Sequence, residues 1–240
     1  MVVFTVAIAP LVEGQINDTV SKRHIKLITK LEYSAKEVLY SVQKNDLMDS
    51  TILVFNNKDH IISESAFFHK GYGTKRTIYS YDSLGHNVEQ DLVCSDHNLS
   101  RKIILILDKN GNTKEMFEYD LSGKLETNIT YNYDINGLAT ESYCYLSNGR
   151  LNDWTTYKHD TTGNVIERYS FNFFINQGEK IIISYDNAGN VIEEKYFSYE
   201  GVLNKHSYTY EFDQYGHWIK MIQFINGSAF RITTRTIEYY

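Results

Sequence analysis

Tyr185-Asp186-Asn187-Ala188-Gly189-Asn190-Val191-Ile192-Glu193 reads as the end of one strand, a tight turn and the start of the next strand. The Asp carboxylate can accept hydrogen bonds from the amides ahead of it, and the glycine takes the left-handed conformation that a hairpin demands. The same turn recurs. Gly85, Gly111, Gly137, Gly163, Gly189 and Gly216 follow one another at intervals of 26 residues, with 27 for the last. Between them runs a looser series, Gly123, Gly149, Gly178, Gly201 and Gly227, preceded at several sites by Ser or Asn. A fixed period of this length marks one supersecondary unit copied and stacked. Turns every 11 to 15 residues leave strands of about eight residues, within the usual range. Working backwards through Gly71, Asp59 and Asn45-Asp46, with His97-Asn98 replacing one glycine, the array begins near Lys26. The expectation is an all-β antiparallel hairpin-repeat meander of about sixteen strands over residues 26–240, twisted or partly rolled.

Composition agrees. Aromatics make up 14% of the 240 residues and proline occurs once, which suits strands joined by tight turns. A net charge of −6 gives no basic footprint, so nucleic acid is not an expected partner. The array holds no apolar run long enough for a membrane-spanning helix. Residues 1–25 stand apart. Val2 to Val12 has the length of a signal-peptide core, with small residues before a cleavage point, yet no basic residue precedes it. It reads equally as a first strand, so the cytoplasm and the periplasm or exterior both stay open. Cys94 and Cys144 fall in different registers of the repeat and are not expected to bridge.

Columns emerge when residues are counted from the Asp-series glycines. Six positions before them stand Tyr79, Tyr131 and Tyr157 among others, and eight after them Tyr119, Tyr145 and Phe171. Even offsets share a strand face, so one face is expected to be an aromatic band, covered by rolling of the sheet. Four positions after the glycines runs an acidic column: Glu89, Glu115, Glu141, Glu167 and Glu193. If Asp and the residue after Gly close each turn, these acids pair with Tyr79, Tyr131 and Tyr157 on the aromatic face. They then lie roughly 9.6 Å apart, twice the interstrand spacing. Such a column can serve as a comb for a basic partner or cations. The preferred reading is a copied residue that leans on Tyr hydroxyls or Lys and fixes register, because repeat copying explains the recurrence without any binding. Trp154 and Trp218 replace smaller or polar residues in their columns, which makes each a candidate binding anchor. Nothing points to a metal or cofactor. The eight His residues show no zinc spacing, no nucleophile elbow is present, and Gly71-Tyr72-Gly73 has no following helix to complete a phosphate loop.

The turn followed by apolar-apolar-Glu, in Tyr185 to Glu193 and again in His159 to Glu167, resembles the YD repeat of the Rhs family. The segment from Tyr210 to Tyr240 is similar to the ends of small YD-repeat proteins of Bacteroidetes-type bacteria. The likeness spans about residues 50 to 240. It implies a non-enzymatic β-sheet array used as container, scaffold or binding surface. Large members enclose a toxic C-terminal domain in a hollow β-shell, whereas here the repeat runs to Tyr240 and the self-cleavage motif is missing. The leading functional expectation is a binding or scaffold protein whose partner is another protein, in one version an immunity protein neutralising a bacterial toxin. The rival is a carbohydrate-binding or carbohydrate-active protein using its Tyr/Trp/Glu face.

Overall fold

The computed structural model describes residues 24–38, 41–68, 74–94, 100–198 and 201–240. The apolar N-terminal stretch, Gly71 to Gly73 and the His97-Asn98 turn lie outside the described residues. Sixteen antiparallel strands follow in order: β1 (Ile25–Val38), β2 (Ser41–Phe55), β3 (Ile61–Phe68), β4 (Thr74–Tyr81), β5 (Asn87–Cys94), β6 (Ser100–Leu107), β7 (Thr113–Tyr119) and β8 (Leu125–Tyr133). The second half comprises β9 (Ala139–Leu146), β10 (Leu151–His159), β11 (Val165–Asn172), β12 (Gln177–Tyr185), β13 (Val191–Ser198), β14 (Gly201–Phe212), β15 (Trp218–Ile225) and β16 (Ser228–Tyr239). Each strand pairs with its sequence neighbours, and β1 pairs with β16, so the expected meander is a closed barrel rather than a partly rolled sheet. Closure removes the two free sheet edges that an open meander would expose.

The turns are built as their sequence implies. In Asp134 to Leu138 the Asp134 amide donates to the Leu138 carbonyl at 2.9 Å, and the Gly137 amide donates to the Asp134 carbonyl at 3.1 Å. Asp134 Oδ1 accepts the Asn136 and Leu138 amides at 2.8 and 2.9 Å. Asp120 makes the same bonds to Ser122 and Lys124, so one member of the looser series is an Asp turn on the opposite edge. Asn45-Asp46 forms no turn. Both lie inside β2, where a bulge opposite Ser34 absorbs them and Asn45 Nδ2 and the Asp46 amide donate to the Ser34 hydroxyl.

These turns tie the fold to pH. The Asp160 carboxyl is lowered to a pKa of about 2, chiefly by the Thr162 hydroxyl and then by the Asn164 and Thr162 amides. Asp82, Asp108 and Asp134 are lowered too, by comparable turn bonds. A folded value below the unfolded one means stability that is complete above about pH 4 and lost as pH falls toward 2. Thermal midpoints followed by circular dichroism are therefore expected to hold level from pH 7 to 5 and to drop between about pH 4 and 2. Asp160→Asn should flatten that drop, and an unchanged acid profile in the variant would refute the assignment.

Where each Asp-series turn rejoins its ladder the register slips by one residue. Tyr81 faces Asn87 while Ser80 faces Glu89, so Val88 bulges out. Tyr133 and Ala139, His159 and Val165, and Tyr185 and Val191 repeat the slip. A bulge of this kind switches the face of every residue beyond it.

Burial on β4 separates the two faces. Thr77 is 7% exposed, whereas Ile78 is 40% exposed, and Tyr79 and Tyr81 share the face of Thr77. That face lines the interior. It is not a packed core: among the described residues the buried apolar side chains are Ile28, Leu53, Phe55, Ile181 and Ile232. Ile28, Leu53 and Phe55 cluster with Ile25, Ile61 and Ile237 where β1 joins β2 and β16, so the densest apolar packing sits at the closing seam. Sixteen strands make a wall wide enough for a lumen rather than a filled barrel.

Candidate functional site

The inner wall is stitched by the tyrosines of the turns. The hydroxyls of Tyr81, Tyr133 and Tyr185 donate to the carbonyls of Ile61, Thr113 and Val165, each 20 residues back, at 2.6 to 2.9 Å. Each acceptor is the first strand residue after the preceding turn on that edge, beyond the last ladder pair, where a carbonyl needs a partner. Burial pushes the pKa of the Tyr133 hydroxyl up to about 12, so it stays a donor.

Between β13 and β15 the inner wall carries a polar and aromatic cluster. Glu194 accepts the hydroxyls of Tyr196 at 3.0 Å and Tyr208 at 2.6 Å. The His206 ring packs on Tyr196 with centroids 4.6 Å apart, and its Nδ1 lies 3.8 Å from Glu194. Gln223 Nε2 reaches the Tyr208 hydroxyl at 3.4 Å. Burial, followed by the bond to Glu194, pushes Tyr208 well above its ordinary range. Further ion pairs line the same face, Arg231 with Glu32 at 2.8 Å and Arg101 with Glu118 at 2.6 Å. Neutral tyrosines beside fixed charges can hold polar or aromatic groups. Among the described residues no group of three or more His, Cys, Asp or Glu could hold a metal ion. Cys144 faces inward as a free thiol, and burial raises it to about 11.

The acidic column is not where parity counting placed it. Glu115, Glu141, Glu167 and Glu193 pair with Ile106, Asn132, Lys158 and Ser184, on the outer wall. Tyr131 and Tyr157 pair with Ser142 and Arg168 on the inner wall. The bulge after each turn is the reason. It also splits the aromatic band in two, leaving Tyr119, Tyr145 and Phe171 outside with the acids. The acids lean on neighbours: Glu167 on Lys158 at 2.8 Å and Lys180 at 2.6 Å, and Glu193 on Lys195 at 2.7 Å. Those lysines hold both carboxyls below the ordinary range. Glu141 accepts from Asn132 Nδ2 and the Tyr143 hydroxyl at 3.1 and 3.0 Å, and Glu115 lies 3.8 Å from Lys114.

The two tryptophans lie on opposite sides of the wall. Trp154 is outside, paired with Tyr143 and Phe171 and meeting Tyr169 edge-on at 6.2 Å. Trp218 is inside, with the Arg235 guanidinium 4.0 Å above its ring and Tyr210 at 6.0 Å. They cannot serve one site. Counting missed the inner cluster because Glu193 and Glu194, adjacent in sequence, face opposite ways, and only the pairing register tells which points inward.

The chain matches no family model and no curated protein. Its fold is similar to that of a porin-like protein from Bacteroides uniformis, at a TM-score of 0.60 and 11% identity, covering 90% of this chain and 98% of that one. A porin-like protein from Bacteroides vulgatus aligns at a TM-score of 0.39 and 11% identity, over 91% and 99% of the two chains. The Tc holotoxin pore of Photorhabdus luminescens aligns at 0.34 and 12% identity, over 78% of this chain and 12% of that one. At these identities the first likeness establishes the barrel fold alone.

Proposed function

We propose that the barrel is a non-enzymatic binding protein that receives another protein on its acidic Asp-Gly edge. The observation that carries this reading is the row of carboxylates at one end of the barrel. The turn carboxylates from Asp82 to Asp213 ring one end of the barrel, with the glutamate column one layer below; Asp82, Asp108, Asp134 and Asp160 are lowered by bonds within their own turns and Asp213 chiefly by the Tyr239 hydroxyl. A ring of fixed negative charge steers a basic surface and orients it. An immunity protein capping the basic site of a toxin is one form of this interaction.

No helix among the described residues is long and apolar enough to cross a membrane, which leaves open a barrel crossing by its strands. Two features speak against such a crossing. Outside the longer β1, β2, β14 and β16, the strands hold seven to nine residues, and eight residues, about 26 Å long and tilted about 40°, make a wall roughly 20 Å high there, short of the ~25 Å apolar band of outer-membrane barrels. The outer wall also carries Glu167 and Glu193 with their lysines, where a lipid-facing band would be apolar.

Capture with the products of adjacent genes is expected to recover a basic protein at micromolar concentration, with affinity falling as salt rises. Changing Glu89, Glu115 and Glu141 together to Gln should weaken it about tenfold or more. No partner, or one indifferent to both salt and the triple variant, would overturn the proposal. Loss of the partner's toxicity on binding would establish the immunity form.

A second reading rests on the outer platform of Tyr143, Trp154, Tyr169 and Phe171, whose rings suit sugar stacking. Glycan-array binding abolished by Trp154→Ala would favour it.

A further inference from the structure

Glu193 and Glu194 of β13 face opposite ways and meet different partners. On the outer wall Glu193 holds Lys195 at 2.7 Å and Lys205 at 2.5 Å. Inside, Glu194 forms no ion pair with a lysine or arginine among the described residues, and the His206 ring at 3.8 Å is its nearest basic group. Other inner glutamates have what it lacks. Glu32 and Glu118 hold Arg231 and Arg101, Glu64 shares a recess with Lys75, and Glu179 stands in solvent. The Glu194 side chain is 21% exposed, so its charge is partly desolvated yet reachable from the lumen. Its Oε2 takes the hydroxyls of Tyr196 and Tyr208, whereas Oε1 has no hydrogen-bond partner among the described residues. Neutral hydroxyls stabilise a carboxylate without cancelling its charge. Burial and then Glu194 itself push both tyrosines well above their ordinary range, so the rings stay neutral and their faces can meet a cation.

We propose that Glu194, with the rings of Tyr196 and Tyr208, binds the ammonium group of an alkylamine that enters the lumen. The ammonium donates to Oε1 while the methylenes of the guest lie along the tyrosine rings. An anion would be repelled by the same carboxylate, and an uncharged guest would leave its charge without a counterion. The surroundings agree in sign. Arg168 and Glu179 also face inward, on β11 and β12, and their opposite charges offset one another. The turns that close these strands at the Asp-Gly edge carry Asp186 and Asp213, so the nearer mouth of the lumen attracts cations. A free small amine and a lysine side chain on an entering segment present the same group. The site stands on the inner wall and does not rest on the reading of the acidic edge as a protein interface.

Titration of the full chain with n-butylammonium, followed by calorimetry, is the test, with n-butanol as the uncharged control. Butylammonium is expected to bind about tenfold or more tightly than butanol, with the preference shrinking as salt rises. Glu194→Gln should remove that preference, whereas Glu194→Asp, which keeps the charge, should retain it. Tyr196→Leu should weaken butylammonium about threefold or more by removing a ring face. Glu193→Gln on the outer wall should leave binding unchanged. Circular dichroism checks that each variant is folded, and the aspartate variant keeps the comparison decisive if the glutamine variant is not. A lysine-centred tripeptide bound about tenfold or more tightly than butylammonium would assign the group to an entering segment, and any weaker binding to a free amine. No binding of butylammonium, equal binding of butanol, or a preference that survives in folded Glu194→Gln would overturn the proposal.

Discussion

Gly111→Val is expected to lower stability by about 3 kcal/mol or more, and the melting temperature by roughly 6–12 °C for a chain of this size. Two causes add. Gly111 sits at φ +87°, a conformation that strains a β-branched residue by about 1–3 kcal/mol. A Cβ there would also stand 2.6 Å from Nε2 of His86, the residue after the glycine of the preceding turn on that edge. His86 cannot easily withdraw, because its Nδ1 is 3.0 Å from Asp82 Oδ2 and its amide donates to Asp82 Oδ1. Gly163 is the comparison, since it shares the conformation at φ +92° but would place its Cβ 3.5 Å from Leu138 Cδ2, an ordinary contact. Gly163→Val should therefore cost about 1–3 kcal/mol, from the backbone alone. Glu141→Gln should cost less than about 1 kcal/mol, because the acid is half-buried on the outer wall and bonded to neighbours that an amide can also serve. Chemical unfolding of the three variants orders these effects. A glutamate change more damaging than either glycine change would mean that the column carries a bound group rather than register.

Ile28→Ala is expected to cost about 3 kcal/mol and to make the protein prone to aggregate. Ile28 is fully buried at the seam, against Leu53 and Phe55, in a molecule with few other buried apolar side chains among its described residues. Its backbone pairs with Leu53 on one side and Ile237 on the other, so it stands where the two ends of the array meet. Weakening that junction frees β1 and β16, and each then offers unpaired amides and carbonyls to another chain. Ile182→Ala on the outer wall, where the side chain is half-buried, should cost about 1 kcal/mol and leave the protein monodisperse. Light scattering beside denaturant unfolding separates the two outcomes. A loss below about 1 kcal/mol without aggregation would show that the ladder hydrogen bonds, rather than the seam cluster, keep the barrel shut.

Both effects bear on function through the same geometry. The Asp-Gly turns stack along one edge, with His60, His86, Asn112 and Leu138 each against the next turn's glycine, so the carboxylates that would meet a protein partner are held in fixed positions. The seam keeps those turns in a ring. A barrel opened between β1 and β16 would retain every local turn and still lose the ring of carboxylates at the Asp-Gly edge.

Strand number, turn chemistry and the order of hairpins were legible in the 26-residue spacing, because Asp and Gly act on the four or five residues around them. Tyr in the turn motif was legible as a column but not as a bond. Its acceptor lies 20 residues away, and only the stacking of hairpins brings Tyr133 to the Thr113 carbonyl. The faces were misassigned for a physical reason. Alternation is strict within a strand, but one bulged residue per turn reverses it, and whether a loop rejoins its ladder with a bulge depends on a partner strand that spacing does not reveal. That single residue sends Glu141 outward and Ser142 inward. Closure was equally hidden. The sequence determined a meander with a repeated hairpin, since each hairpin is stabilised by contacts between residues near in the chain. Tertiary structure alone decided that Ile28 meets Ile237, because twist and tilt must accumulate over all sixteen strands before the first and last can pair.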